Sequence, residues 1–97
     1  DAAKIYYEQY WKPVKCHEME LSMAVCVFDT AVNLGVGRTI GLLKNCSTPK
    51  ELLARRITYY AQLVTNKPKF TKYYKGWINR VVDLRKYAEI LGNEPIL

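Results

Sequence analysis

The sequence predicts an all-α fold, a compact bundle of about five helices, on three observations. Apolar residues recur with helical period along the whole chain, no segment alternates with period two, and no Asn-Gly hairpin turn occurs. Start and stop residues then divide the chain at regular intervals. With 97 residues, 49% hydrophobic and 25% charged, the composition is that of an ordinary globular domain and excludes disordered and collagen-like chains. We expect one domain over residues 1–97, and the opening on Asp1 rather than Met leads us to expect a piece of a longer protein.

A first helix is expected from Ala2 to Trp11, capped by Asp1 and stopped by Pro13. Its aromatics Tyr6, Tyr7, Tyr10 and Trp11 share one broad face. A second runs from about Glu18 to Leu34, with Glu18 and Glu20 at its positive end. Leu21, Val25, Phe28 and their neighbours occupy nearly every side, which marks a helix buried in the domain, and Gly35 ends it. Asp29 and Asn33 interrupt it, four apart and so on one face.

A short third helix is expected over Gly37 to Lys44. The run Thr48-Pro49-Lys50-Glu51 is a strong start signal, with a cap, a proline at the first helical position and a capping-box glutamate. The fourth helix carries the stripe Leu53, Ile57, Tyr60 and Val64. After the basic loop 66–69, the fifth helix reads Phe70, Tyr74, Trp77, Val81, Leu84, Ala88 and Leu91, a single buried seam, and ends at Gly92.

Catalytic chemistry is poorly supplied. Glu20 and Asp29 lie nine residues apart on one expected helix, or ~13.5 Å of rise, whereas glycosidase carboxylates face each other at about 5–9.5 Å. His17 is the only histidine and has no nucleophile in a recognisable context. Gly35-Val36-Gly37-Arg38 is no phosphate loop. The three cysteines form no Cys-x-x-Cys pair, and Cys26 reads as a buried thiol. We therefore expect no catalytic set in this chain, no metal site and no cofactor. No run of about 18 apolar residues exists, so no membrane span is expected.

The net charge of +6 favours an anionic partner: nucleic acid, acidic lipid or an acidic wall polymer. A helix-turn-helix reading of the glycine turn fails because the following helix offers Thr39, Ile40, Leu42 and Leu43, few of which read bases. Nucleic acid is thus the weaker alternative, beside a protein-interaction surface on Tyr6, Tyr10 and Trp11. Lys67, Lys69, Lys72, Lys75, Arg80, Arg85 and Lys86 form a basic stretch with Tyr73, Tyr74 and Trp77 interleaved. Tyr73 lies off the seam and is the ring expected to be exposed.

The segment 28–38, Phe28-Asp29-Thr30-Ala31-Val32-Asn33-Leu34-Gly35-Val36-Gly37-Arg38, resembles F-D-x-A-V-N-x-G-x-G-R. Tyr6-Tyr7-Glu8-Gln9-Tyr10-Trp11-Lys12-Pro13 resembles Y-Y-x-x-Y-W-x-P, and Gly76-Trp77-Ile78-Asn79-Arg80-Val81 resembles G-W-x-N-R-V. Together, over about residues 5 to 90, they resemble the C-terminal predicted peptidoglycan-binding domain of the glycoside hydrolase family 108 muramidases, once called secretion activator proteins. The resemblance implies the helical lobe of a phage-type lysozyme, acting at a bacterial cell wall in the periplasm or outside the cell. It implies glycan strands as partner and an N-terminal lobe with a catalytic Glu in a Glu-Gly-Gly stretch, which this chain lacks, so the chain alone is expected not to hydrolyse glycan. By the same resemblance Asn33 falls where phage lysozymes place a substrate-facing amide, and Arg80 where a cation approaches the catalytic carboxylate. The expected glycan-binding residues are Asn33, Asp29, Arg38, Tyr73, Asn79 and Arg80.

Overall fold

The computed structural model describes residues 1–96, and residue 97, the last of the expected domain, lies outside the described residues. Five α-helices carry the described residues: α1 (Ala2–Tyr6), α2 (Leu21–Leu34), α3 (Val36–Leu42), α4 (Pro49–Asn66) and α5 (Thr71–Gly92), with no strand among them. The Cα radius of gyration is 13.4 Å, close to the ~13 Å of a folded domain of this length. No helix among the described residues is long and apolar enough to cross a membrane.

α1 starts where expected, because the Asp1 carboxylate accepts the Lys4 amide at 2.9 Å. It then widens into a π-helical turn, Tyr7–Trp11, before Pro13. α2 begins three residues later than expected. Lys15 takes a left-handed φ of 62° and the chain closes a 3-10 turn over Cys16–Glu18, so Glu18 precedes the helix and Glu20 stands at its cap position in extended conformation. Gly35, with φ +92°, separates α2 from α3, a conformation that L side chains rarely adopt. α4 starts as its sequence dictates: the Thr48 hydroxyl oxygen accepts the Glu51 amide at 3.2 Å while the hydroxyl donates to the Glu51 carboxylate.

α2 is the centre of the bundle and packs against α3, α4 and α5. Cys26, Val27 and Ala31 on α2, Leu52 and Leu53 on α4, and Val81, Leu84 and Ala88 on α5 form the core. Two expected stripes need correction. On α4, Ile57 is exposed and Arg56 is wholly buried in its place, because the inward carboxylate of Asp29 demands a cation there. Along the expected α5 seam, Tyr74, Trp77 and Leu91 are only half-buried, as is Phe70, which lies in the 3-10 turn before the helix. α5 does not end because of Gly92. Asn93 takes the left-handed turn, and Gly92 is where the helix meets α2, since a Cβ there would lie 3.2 Å from the Ser22 side chain.

Candidate functional site

The most charged point of the interior is built around Asp29, in the middle of α2 and 8% exposed. Two guanidiniums converge on this one carboxylate. Arg56, from α4, donates through Nη1 to Asp29 Oδ2 at 2.7 Å and to the Thr30 hydroxyl at 3.2 Å, and through Nε to the Tyr60 hydroxyl at 3.1 Å. Arg80, from α5, donates to Asp29 Oδ1 through Nε at 3.0 Å and through Nη2. Arg56 is entirely buried, whereas the Arg80 side chain is 59% exposed. Hydrogen bonding to Asp29, and then its charge, raise the Arg80 pKa further above its ordinary value.

Asn33 sits one turn beyond Asp29 on the rim, and its amide nitrogen donates to the Asp29 carbonyl at 2.8 Å and to Oδ2 at 3.3 Å. With the nitrogen committed inward, Oδ1 is the atom left for a ligand. An Asp29 carboxylate gripped from both sides is a structural anion. It is held by charge and geometry, and has no open position from which to act as a base.

From this cluster a chain of aromatic rings leads outward. Tyr60 stacks on Trp77 with centroids 4.9 Å apart, and Trp77 stacks on Tyr73 at 6.0 Å. Tyr73 is exposed as expected. Arg80, Trp77 and Tyr73 are successively three and four residues apart, on one face of α5, so the ladder and the cluster are a single surface feature ~10 Å long. Tyr60 also meets Tyr59, on which the Arg38 guanidinium rests, 4.6 Å from the ring centroid. The structure thus joins Asp29, Asn33 and Arg80 directly, reaches Tyr73 through Tyr60 and Trp77 and Arg38 through Tyr60 and Tyr59, and leaves Asn79 exposed and outside the network.

Arg56 and Tyr60 are the members that sequence reasoning missed. A signal existed: Arg56 stands three residues after Leu53 and four before Tyr60, on the apolar stripe itself.

A cavity of about 480 Å³ lies elsewhere, between the starts of α2 and α4 and residues 94–96, and holds none of these side chains. Burial pushes the Cys16 and Cys26 thiols up to about 11, Cys26 with help from the Asp29 charge, so neither is a nucleophile at neutral pH. Among the described residues no group of His, Cys, Asp and Glu could hold a metal ion.

The model of the glycosyl hydrolase 108 family matches residues 1–35. The matched stretch runs from α1 to the glycine that ends α2, so it contains Asp29 and Asn33. It stops short of Arg38, Arg56, Tyr73, Asn79 and Arg80. Family likeness is therefore supported over the first third of the chain, and the motif around Trp77 lies outside it. No curated protein and no solved structure matches the chain.

Proposed function

We propose that this chain is the helical part of a family 108-type muramidase and that it holds the glycan strands of peptidoglycan. The observation that carries the reading is the continuous face from Asn33 and Arg80 over Trp77 to Tyr73. It offers what an acylated, carboxylated sugar polymer needs. Asn33 Oδ1 accepts an acetamido N–H, the Arg80 guanidinium meets a lactyl or stem-peptide carboxylate, and the Tyr73 ring lies along the apolar face of a pyranose. Arg38 and Asn79 stand at the margins of this surface as secondary contacts, and Asp29 acts by fixing Arg80 and Asn33 in place. The family match over residues 1–35 supports the family 108 part of this reading.

Hydrolysis requires a carboxylic acid poised against the glycosidic bond, and the cluster contains none that is free. In this reading the chain binds glycan without cleaving it, and a companion lobe supplies the acid. The site of action is the bacterial cell wall.

The test is co-sedimentation with purified peptidoglycan sacculi at low and high salt, with duplex DNA as competitor. The chain should stay on the sacculi at high salt and in the presence of DNA. Asn33→Ala should weaken retention while the melting temperature barely moves, since Asn33 is exposed. Retention erased by modest salt or by DNA would reduce the interaction to the +6 charge and favour a nucleic-acid partner.

A further inference from the structure

At the outer end of the ring ladder, α4 gives way to α5. α4 ends at Asn66, Lys67 follows as its cap, Pro68–Phe70 form a 3-10 turn, and α5 starts at Thr71. This corner carries Lys67, Lys69, Lys72 and Lys75, all exposed. No acid occurs between Glu51 and Asp83. Glu51 stands near the far end of α4, ~22 Å away along its axis, and Asp83 lies ~12 Å beyond Lys75 on α5. None of the four lysines pairs with a carboxylate among the described residues. The arginines nearby are engaged: Arg56 and Arg80 on Asp29, and Arg55 on the carbonyls of Leu42, Lys44 and Asn45. Two of the ammoniums are held in place. Lys69 Nζ lies 5.3 Å from the Phe70 ring centroid, Lys72 Nζ lies 5.2 Å from that of Tyr73, and the two rings are 6.4 Å apart. Cation–π contact thus gathers like charges over one aromatic pad, where no acid offsets them.

We propose that this corner binds a flexible phosphodiester polymer, the four ammoniums meeting successive phosphates along its chain. The inference rests on the wall reading only for its place of action, since the glycan face uses none of these lysines.

The charge calls for a polyanion, and the kind of cation favours phosphate. The buried carboxylate of Asp29 is met by guanidiniums, whose planar fork matches a carboxylate. The corner offers only ammoniums, compact point charges on flexible stems that follow a phosphate in any orientation. The bend favours a flexible chain. A duplex, with a persistence length of about 50 nm, stays straight past a turn of this size and meets its lysines at a tangent. A membrane surface fits poorly. Phe70 is half-buried, Lys69 and Lys72 lie over the rings, and Val81, Leu84 and Ala88 of α5 face inward, which leaves no broad apolar face to insert.

The probe is synthetic oligo(glycerol phosphate), followed by amide NMR and calorimetry across a salt series. We expect shifts confined to residues 66–76 and a log–log salt slope of about −2 to −3, as for three or four phosphate contacts with a single strand. Replacing Lys67, Lys69, Lys72 and Lys75 by glutamine should weaken binding at least about tenfold and flatten the slope. The same charge loss at Lys4, Lys12, Lys44 and Lys86, all exposed, should leave binding within about twofold. No binding, shifts elsewhere, or equal losses in the two quadruple variants would overturn the proposal. So would tighter binding of polyglutamate, duplex DNA or phosphatidylglycerol vesicles than of the oligomer, each of which would reassign the corner. Sacculi stripped of phosphodiester polymers by hydrofluoric acid separate this proposal from the glycan reading. On them the corner variant should be retained like the parent chain, and Asn33→Ala should be retained less. Loss of the parent chain from stripped sacculi, with oligomer binding intact, would sink the glycan reading alone. Reduced retention of the corner variant on stripped sacculi would instead assign these lysines to glycan.

Discussion

The two halves of α5 carry the same apolar rhythm and have different fates. From Val81 onward, Val81, Leu84 and Ala88 lie against α2 and are buried. Before it, Tyr74 and Trp77 keep the spacing but are half-buried, Tyr73 is exposed, and their rings answer α4 through Tyr60. The first half is also basic. Lys67, Lys69, Lys72 and Lys75 surround it, and no acid stands between Glu51 and Asp83. A stripe at helical spacing therefore states a direction. Its depth depends on how many neighbours reach it, and here α2 is the neighbour that counts. Where α2 covers α5 there is core, and where it does not there is a surface of aromatics and lysines.

Asp29 marks the border between the halves and should show the largest effect. Asp29→Ala leaves Arg56 buried with no counter-charge, and removing one partner of a buried pair costs roughly 3–5 kcal/mol. Urea unfolding would measure it. The exposed Arg80 should lose little by the same change, since exposed ion pairs contribute about 0–1 kcal/mol. Arg80→Gln should therefore be far milder than Arg56→Gln. Equal losses for the two arginines would erase the distinction between the inner and outer side of the cluster.

Within the helix itself, Leu84→Ala should cost about 2–4 kcal/mol as a buried large-to-small change. Trp77 is the larger side chain, yet half-buried, and its replacement by Ala should cost no more than about 2–3 kcal/mol, below the usual range for a fully buried tryptophan. A Trp77→Ala loss clearly above that of Leu84→Ala would mean that the ring stack with Tyr60 and Tyr73 is core after all.

The same contrast explains what was legible in the sequence. The Asp1 cap, the Thr48 capping box and the glycine turn after Leu34 depend on residues within one turn of each other, so the local sequence declares them. The α5 seam was legible as a direction for the same reason. Asp29 and Asn33 stood out as polar positions on an apolar helix, but their partners did not. Arg56 is 27 residues from Asp29 and Arg80 is 51, and nothing local says which cation folds back onto which acid. Arg56 on its own reads as a solvated charge of α4, and Tyr87 and Ile90 as ordinary spill from an amphipathic helix. Only the antiparallel placement of α2 beside α5 brings Tyr87 to a groove with Val25 and Phe28.

The finest probe of the comparison is a pair of glycines in α5, one in each half. Gly76 lies in the uncovered half, and a Cβ added there would meet nothing within 4 Å. Ala at an open helix position removes backbone freedom from the unfolded chain, so Gly76→Ala should raise stability by about 0.5–1 kcal/mol. Gly92 sits where α2 closes on α5, and an added Cβ would lie 3.2 Å from both Cβ and Oγ of Ser22. There the same substitution gains the same backbone term but pushes two helix ends apart, so Gly92→Ala should gain nothing or lose. Thermal melts of the two variants decide the matter by sign. If both gain equally, Ser22 yields freely and the covered end of α5 is looser than its burial implies. If neither gains, the half around Gly76 is held by more than the contacts with α4.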